Sequence, residues 1–142
     1  MIAVDTSILV RAHRRDLPQH EQALRKLRSL AEGSAPWYLP VFCLGEFVRV
    51  VTHPKIFERP STLDESTEAL HGLLASPSVR TLSPGPRYPE LFDEALKAGD
   101  ARGNLAFDAQ IVALCWEQGI SQILTLDRDF HRFPNLQVVS LD

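Results

Sequence analysis

Short apolar segments alternate with segments of helical periodicity along the whole chain, and this alternation restricts the fold more than any other feature. Five segments have the length and apolar content of β-strands. They cover residues 2–4, 37–39, 79–82, 122–126 and 137–141. Strands separated by helices of about ten residues are typical of parallel sheets joined by right-handed crossovers. The pattern therefore predicts a three-layer α/β/α fold with a mostly parallel central sheet.

The helix boundaries follow from capping and breaking residues. Asp5, Thr6 or Ser7 can each cap a first helix through residues 8–10, and Pro18 suits the first turn of a second helix that stops before Gly33. Further helices are predicted from residue 40 to 53, from 63 to 74, around 91–96, and from 105 to 117. Gly99 suits a left-handed cap after the fifth helix. Asn104 can cap the sixth.

Length and composition favour a single intracellular domain. The chain has 142 residues and 44% hydrophobic content, enough for one continuous core over residues 1–142 without disulfides. No run approaches the roughly 20 apolar residues of a membrane span, and no leader precedes the first strand. We therefore expect a soluble, cytoplasmic protein. Cys43 and Cys115 lie in apolar helical patterns and are expected to be buried thiols.

Four carboxylates occupy positions where an ordinary core would place apolar or neutral side chains. Asp5 follows the first strand, Glu46 lies within an apolar helix, Asp108 interrupts a buried helical stripe, and Asp127 follows the fourth strand. Ligands of open α/β sheets bind beyond the carboxyl ends of the strands, where Asp5 and Asp127 are placed. Because a hard divalent cation lets several buried acids stay ionised together, the four residues indicate a Mg²⁺ or Mn²⁺ site.

Each acid also has an ordinary structural interpretation. Asp5 can cap a helix, although Thr6 and Ser7 could do so instead, which leaves Ser7 free to hold the acid. Glu46 is expected to point toward the interior or its margin, with a surface position as the alternative. Asp108 could simply complement a helix dipole, and Asp127 or Asp129 could be a turn residue or pair with Arg128. The metal-site hypothesis therefore rests on the occurrence of all four acids together. Thr125 is a candidate orienting hydroxyl, and Asp129 a supporting or partial ligand.

Four motifs in order along the chain resemble those of the PIN-domain ribonucleases, with the greatest similarity to VapC-type toxins of bacterial toxin–antitoxin pairs. The motifs are Val4-Asp5-Thr6-Ser7-Ile8-Leu9, Leu44-Gly45-Glu46-Phe47, Asn104-Leu105-Ala106-Phe107-Asp108-Ala109 and Leu124-Thr125-Leu126-Asp127-Arg128-Asp129-Phe130. They span nearly the whole sequence, and together they are more specific than any one alone.

The resemblance implies a fold, a reaction and partners. Asp5, Glu46, Asp108 and Asp127 would form an acidic metal site, supported by Thr6 or Ser7, Asn104 and Asp129. The resemblance also implies endoribonuclease activity, a cognate antitoxin protein and a homodimer. In such a site, clustered acids holding Mg²⁺ can activate a water and neutralise charge on the leaving oxygen of an RNA phosphodiester.

Basic residues beside the acids are candidates for holding RNA phosphates. A net charge of -3 gives no global signal for nucleic acid, so binding would have to use a local patch. Two groups follow Asp5 and Glu46 along the chain, and an ordinary solvated surface is the alternative for both. The candidates are Arg11, Arg14, Arg15, Arg49 and Lys55.

Other functions fit the sequence less well. The five histidines show no zinc-ligand spacing, and no phosphate-binding glycine motif is present. A phosphatase with Asp5 as nucleophile would want a second Asp two residues on, where the chain has Ser7. A catalytically silent RNA- or protein-binding module and a housekeeping RNA-processing nuclease remain open, and the latter would share the same chemistry.

Overall fold

A five-stranded parallel sheet forms the centre of the protein, as a computed structural model covering residues 1–141 describes it. The strands are β1 (Ile2–Val4), β2 (Trp37–Pro40), β3 (Val79–Leu82), β4 (Gln122–Leu124) and β5 (Gln137–Val139). The helices are α1 (Thr6–His13), α2 (His20–Glu32), α3 (Val41–Val51), α4 (Leu63–Leu74), α5 (Tyr88–Gly99), α6 (Leu105–Glu117) and a 3₁₀ helix over Arg128–Arg132. The predicted three-layer α/β/α fold is confirmed, and every strand pairing is parallel.

The strand order is β3-β2-β1-β4-β5, so the chain winds outward from β1 in both directions. The chain first adds β2 and β3 on one side of β1, then β4 and β5 on the other. Val4 pairs with Leu124 at the last register position of β1 and β4. The direction of winding therefore reverses between these two strands, and their carboxyl ends open onto the crevice where such sheets bind ligands.

The core is built from side chains that the apolar patterning placed inward. Trp37, Phe47 and Phe130 are the largest fully buried side chains. Cys43 and Cys115 are buried free thiols, as predicted, and burial raises the pKa of both so that they stay protonated. Among residues 1–141, no helix combines the length and apolar character needed to cross a membrane.

Several boundaries differ from the sequence-based expectation. Pro18 lies outside α2, which starts at His20 after Gln19 in a left-handed conformation. Strand β4 ends at Leu124 and β5 at Val139, each two residues short of the prediction. The sequence analysis did not predict the 3₁₀ helix after β4, where Asp127 acts as the capping residue.

Two capping predictions were wrong. Asn104 is the N-cap residue of α6, but its side chain makes no capping hydrogen bond. The left-handed residue after α5 is Asp100, with φ 46°, and not Gly99. Gly99 is required for a different reason: a Cβ at this position would lie 2.4 Å from Cε1 of Phe133. The glycine therefore lets the segment after the 3₁₀ helix dock on the end of α5.

Replacing Gly99 by alanine should destabilise the fold by about 1–3 kcal/mol, because the added methyl group overpacks a buried ring contact. Urea denaturation followed by circular dichroism measures the change. Gly72→Ala is the matched control, since a Cβ at Gly72 meets nothing within 4 Å. This control should be neutral or should stabilise α4 by up to about 1 kcal/mol. Equal stability of the two variants would contradict the packing argument.

Candidate metal centre

The carboxylate of Asp5 is fixed at the junction of the two central strands. Asp5 is 7% exposed, and its Oδ2 accepts hydrogen bonds from the hydroxyls of Thr125 at 2.8 Å and Ser7 at 2.9 Å. The Ser7 backbone N–H also donates to Oδ2, at 3.4 Å, so Asp5 caps α1 as the structural interpretation proposed. Among residues 1–141, these hydrogen bonds all end on Oδ2. Oδ1 is therefore the oxygen available to a ligand.

The same two hydroxyls extend the network to the loop after β4. Ser7 Oγ accepts from the backbone N–H of Leu126 at 3.1 Å, and Thr125 Oγ1 accepts from that of Asp127 at 3.0 Å. Each hydroxyl thus donates to Asp5 and accepts from the loop. Thr6 behaves differently: its hydroxyl is buried and forms no hydrogen bond with any residue from 1 to 141. Ser7 and Thr125 are the two side chains that orient the acid.

Three further carboxylates form the closest acidic cluster. Asp108, Asp127 and Asp129 each offer an oxygen, and these oxygens all lie within 4.8 Å of one another. We call these three residues the acidic cluster. Asp127 Oδ1 accepts from the backbone N–H of Asp129 at 2.9 Å, and this turn directs the chain into the 3₁₀ helix. Asp129, predicted as a supporting or partial ligand, lies with Asp108 and Asp127 at this distance, whereas Asp5 and Glu46 are not in this group of three. The metal site of Asp5, Glu46, Asp108 and Asp127 stays a prediction.

The acidic cluster lines an open cleft of about 720 Å³. Glu46 and Arg49 from α3 and Asn104 from the start of α6 share this cleft. Its remaining walls are apolar or amide side chains, which sequence reasoning did not assign to the site. They include Phe42, Leu105, Phe107, Gln110 and Ile111. The cleft thus joins residues from three separate parts of the chain.

Electrostatics show that the five acids act on one another. Burial, followed by the carboxylates of Asp127, Asp5, Asp129 and Glu46, raises the pKa of Asp108 to about 7. The pKa of Asp5 is also raised, because burial outweighs its hydrogen bonds from Thr125 and Ser7. Partial desolvation and the charge of Asp5 raise the pKa of Glu46, although this residue is exposed overall and Arg49 opposes the shift. Burial, and for Glu46 and Asp108 also neighbouring negative charge, therefore favours the protonated form of these three acids in the absence of a cation.

The donor set fits a hard divalent ion. Carboxylate oxygens are the ligands that Mg²⁺ and Mn²⁺ prefer, and a cation would favour the ionised carboxylates that burial and, for Glu46 and Asp108, neighbouring acids disfavour. Asp108, Asp127 and Asp129 are placed to hold such an ion. Asp5 and Glu46 border them, so either could reach the ion directly or through a water.

The basic residues expected near the acids have different environments. Arg49 lines the cleft. Arg14 does not: its guanidinium donates to both Asp16 carboxylate oxygens and to the Arg59 carbonyl, and it lies 4.0 Å above the Phe57 ring. This side chain supports the loop before α4 and is not available to RNA. The other three candidates, Arg11, Arg15 and Lys55, are not among the residues that line the cleft.

Comparisons with known proteins agree on one protein family. Residues 2–136 match the PIN domain family model. The chain is 36% identical over 137 residues to Ribonuclease VapC43 of Mycobacterium tuberculosis, covering 96% of this chain and 92% of that protein. Ribonuclease VapC25 of the same organism is 31% identical, with 96% of each chain covered. The solved structure of VapBC2 from Rickettsia felis, bound to a promoter DNA fragment, matches with a TM-score of 0.70 at 18% identity over the full length of both chains.

In metal-free protein, Asp108→Asn should stabilise the fold at about pH 8 and do so less at about pH 5. The folded state holds a proton on Asp108 up to a pKa of about 7, whereas the unfolded state releases it near 3.8. Stability therefore falls as pH rises through this window, and the neutral amide removes that loss. We expect a gain of about 1–2 kcal/mol, since solvent screens part of the effect.

Denaturation in EDTA at the two pH values measures this difference. Asp64→Asn is the control, because Asp64 is an exposed acid in the first turn of α4 and experiences a similar helix dipole. It should show no gain at the higher pH. A stabilisation of the Asp108 variant that is equal at both pH values would contradict the charge argument.

Proposed function

Because the chain belongs to the PIN-domain family, we propose that it is a metal-dependent endoribonuclease that acts as the toxin of a toxin–antitoxin pair. The observation that carries the proposal is the acidic cluster at the sheet crevice, in a cleft lined by residues of all but the first of the motifs that resemble PIN ribonucleases. Relatives named VapC ribonucleases, aligned over almost the whole chain, support the same activity.

We assign the ion to the acidic cluster, with Mg²⁺ as the expected cofactor and Mn²⁺ as a possible substitute. When bound, it would supply Lewis-acid activation of water and neutralise charge on the phosphodiester. Asp108, Asp127 and Asp129 would be its nearest ligands. Asp5 is held through Oδ2, and we propose that its Oδ1 binds the same ion directly or through a water. We assign catalytic roles to Asp5, Glu46, Asp108 and Asp127, with Asp129 now added to the metal ligands.

The remaining polar groups of the cleft would act directly on substrate. Glu46 is exposed to the cleft and its pKa is raised, which suits it to accept a proton from an attacking water. Arg49, on the same helix face, can pair with a phosphate oxygen. Asn104 makes no capping bond, so its amide is free to donate to the substrate at the cleft edge. Ser7 and Thr125 position the acids without touching the substrate.

The proposal includes partners and location. We propose an RNA substrate, a cognate antitoxin that covers the cleft, a homodimer, and residence in the cytoplasm as a single domain. The VapC names of the relatives and the VapBC complexes among similar structures support the antitoxin. A housekeeping RNA-processing role would use the same chemistry. Growth arrest on expression, relieved by the adjacent gene's product, separates the toxin from that alternative.

The test is cleavage of RNA by the purified chain with Mg²⁺, with Mn²⁺ and with EDTA. Cleavage should require the metal, and Asp108→Asn or Asp127→Asn should lower its rate on the order of 100-fold or more while circular dichroism stays unchanged. Asp64→Asn is the matched acid control and should keep full activity.

The alternatives give different results in the same assay. A phosphatase would hydrolyse a monoester such as p-nitrophenyl phosphate and leave RNA intact. A silent binding module would bind RNA without cutting it. Undiminished metal-dependent cleavage by the Asp108 variant would contradict the assignment of the acidic cluster.

A further inference from the structure

Acidic side chains outnumber basic ones in the cleft. Four carboxylates, those of Glu46, Asp108, Asp127 and Asp129, line the cleft, and Arg49 is the one cationic side chain that lines it among residues 1–141. An RNA strand carries a negative charge on every phosphate, so the phosphates on either side of the cut must also be neutralised. With Arg14 committed to the fold, a further source of positive charge is needed on the side of the acidic cluster away from Arg49.

A second hollow adjoins the cleft at this place. It encloses about 250 Å³ and shares Asp127 with the cleft, so the two cavities meet at this member of the acidic cluster. We call it the Arg128 hollow. It is lined by Thr125, Leu126, Asp127, Arg128, His131, Val138 and Ser140. An RNA strand that leaves the acidic cluster on this side would therefore enter a cavity lined by the side chains of Arg128 and His131 and by the hydroxyl of Ser140.

Arg128 is available although acids flank it in sequence. The turn after β4 explains this, because Asp127 Oδ1 accepts from the Asp129 N–H and both carboxylates belong to the acidic cluster. Arg128 and His131 form no ion pair with any residue from 1 to 141, and both are exposed. Arg132 shows the contrast, since its guanidinium donates to the carbonyls of Gly99 and Asp100.

We propose that the Arg128 hollow is a phosphate subsite for the RNA strand, on the opposite side of the acidic cluster from Arg49. This inference rests on the proposed function and adds the path of the substrate. Arg128 lies in the first turn of the 3₁₀ helix and His131 three residues later, so both can face one phosphate. The guanidinium can hold it bidentately, and a ring N–H of His131 and the Ser140 hydroxyl can donate to it.

Salt dependence of binding tests the subsite. A short fluorescein-labelled single-stranded RNA is titrated with Asp108→Asn protein, which does not cut it, at several salt concentrations. Adding Arg128→Gln should weaken binding by about 3- to 10-fold and reduce the slope of log K against log salt by about 0.7, the value of one phosphate contact on a single strand. Arg128→Lys should keep the slope. Arg25→Gln, an exposed arginine on α2, is the control and should change neither quantity.

A methylphosphonate scan locates the contact. Each RNA in the series carries one neutral linkage at a successive position. The loss of RNA affinity caused by Arg128→Gln should disappear when one particular linkage on one side of the cut is neutral. The loss of affinity caused by Arg49→Gln should disappear when a linkage on the other side is neutral. If both variants regain equal affinity at the same neutral linkage, or if their affinity losses are the same at every linkage, the proposed path of the RNA is overturned.

The results also separate this inference from the proposed function. If wild-type protein cuts RNA but Arg128→Gln keeps the full salt slope, the subsite alone is overturned. Unchanged RNA affinity with loss of binding to an acidic partner protein would overturn it as well. A wild-type chain that cuts no RNA would contradict the proposed function before the subsite is considered.

Discussion

The hydrogen bonds that the Ser7 and Thr125 hydroxyls donate to Asp5 Oδ2 are the interaction on which the site depends. Asp5 follows β1 and Thr125 follows β4, so these bonds join the ends of the two central strands. Both hydroxyls also accept backbone N–H groups from the loop that carries Asp127. A buried carboxylate without such partners would be strongly unfavourable. The hydroxyls of Ser7 and Thr125 therefore both satisfy the buried carboxylate of Asp5 and position the loop that carries Asp127.

The site keeps a destabilising feature that the fold alone would not require. Burial, followed by the charges of four neighbouring carboxylates, raises the pKa of Asp108 to about 7, which favours a proton on this group in the absence of a cation. Strongly shifted carboxylates in a cleft are typical of functional sites. A divalent ion bound at the acidic cluster would relieve the repulsion among these carboxylates. This coupling explains why acids occupy positions where neutral side chains would make a more stable protein.

The sequence predicted the fold and most of the site because both are encoded in local patterns. Strand and helix periodicity located every major element, and apolar context singled out Asp5, Asp108 and Asp127. What it missed depended on the turn after β4. Two hydrogen bonds there end the strand early, start a 3₁₀ helix and bring Asp129 into the acidic cluster. No periodic pattern reveals such a turn, although the Asp-Arg-Asp spacing was a usable signal.

The basic residues were harder to predict because a side chain's partners are set by tertiary contacts. Arg14 is close to Asp5 in sequence, yet Asp16, the Arg59 carbonyl and the Phe57 ring hold it elsewhere. An ion pair of Arg128 with Asp127 or Asp129 was one structural alternative for these acids, but Arg128 forms no ion pair within residues 1–141. Proximity along the chain was a poor guide to both.

The most direct measurement is anomalous diffraction from crystals grown with Mn²⁺. The account predicts a peak bound by oxygens of Asp108, Asp127 and Asp129 at about 2.1 Å. A Mn²⁺ peak elsewhere, or none at an accessible acidic cluster, would contradict it.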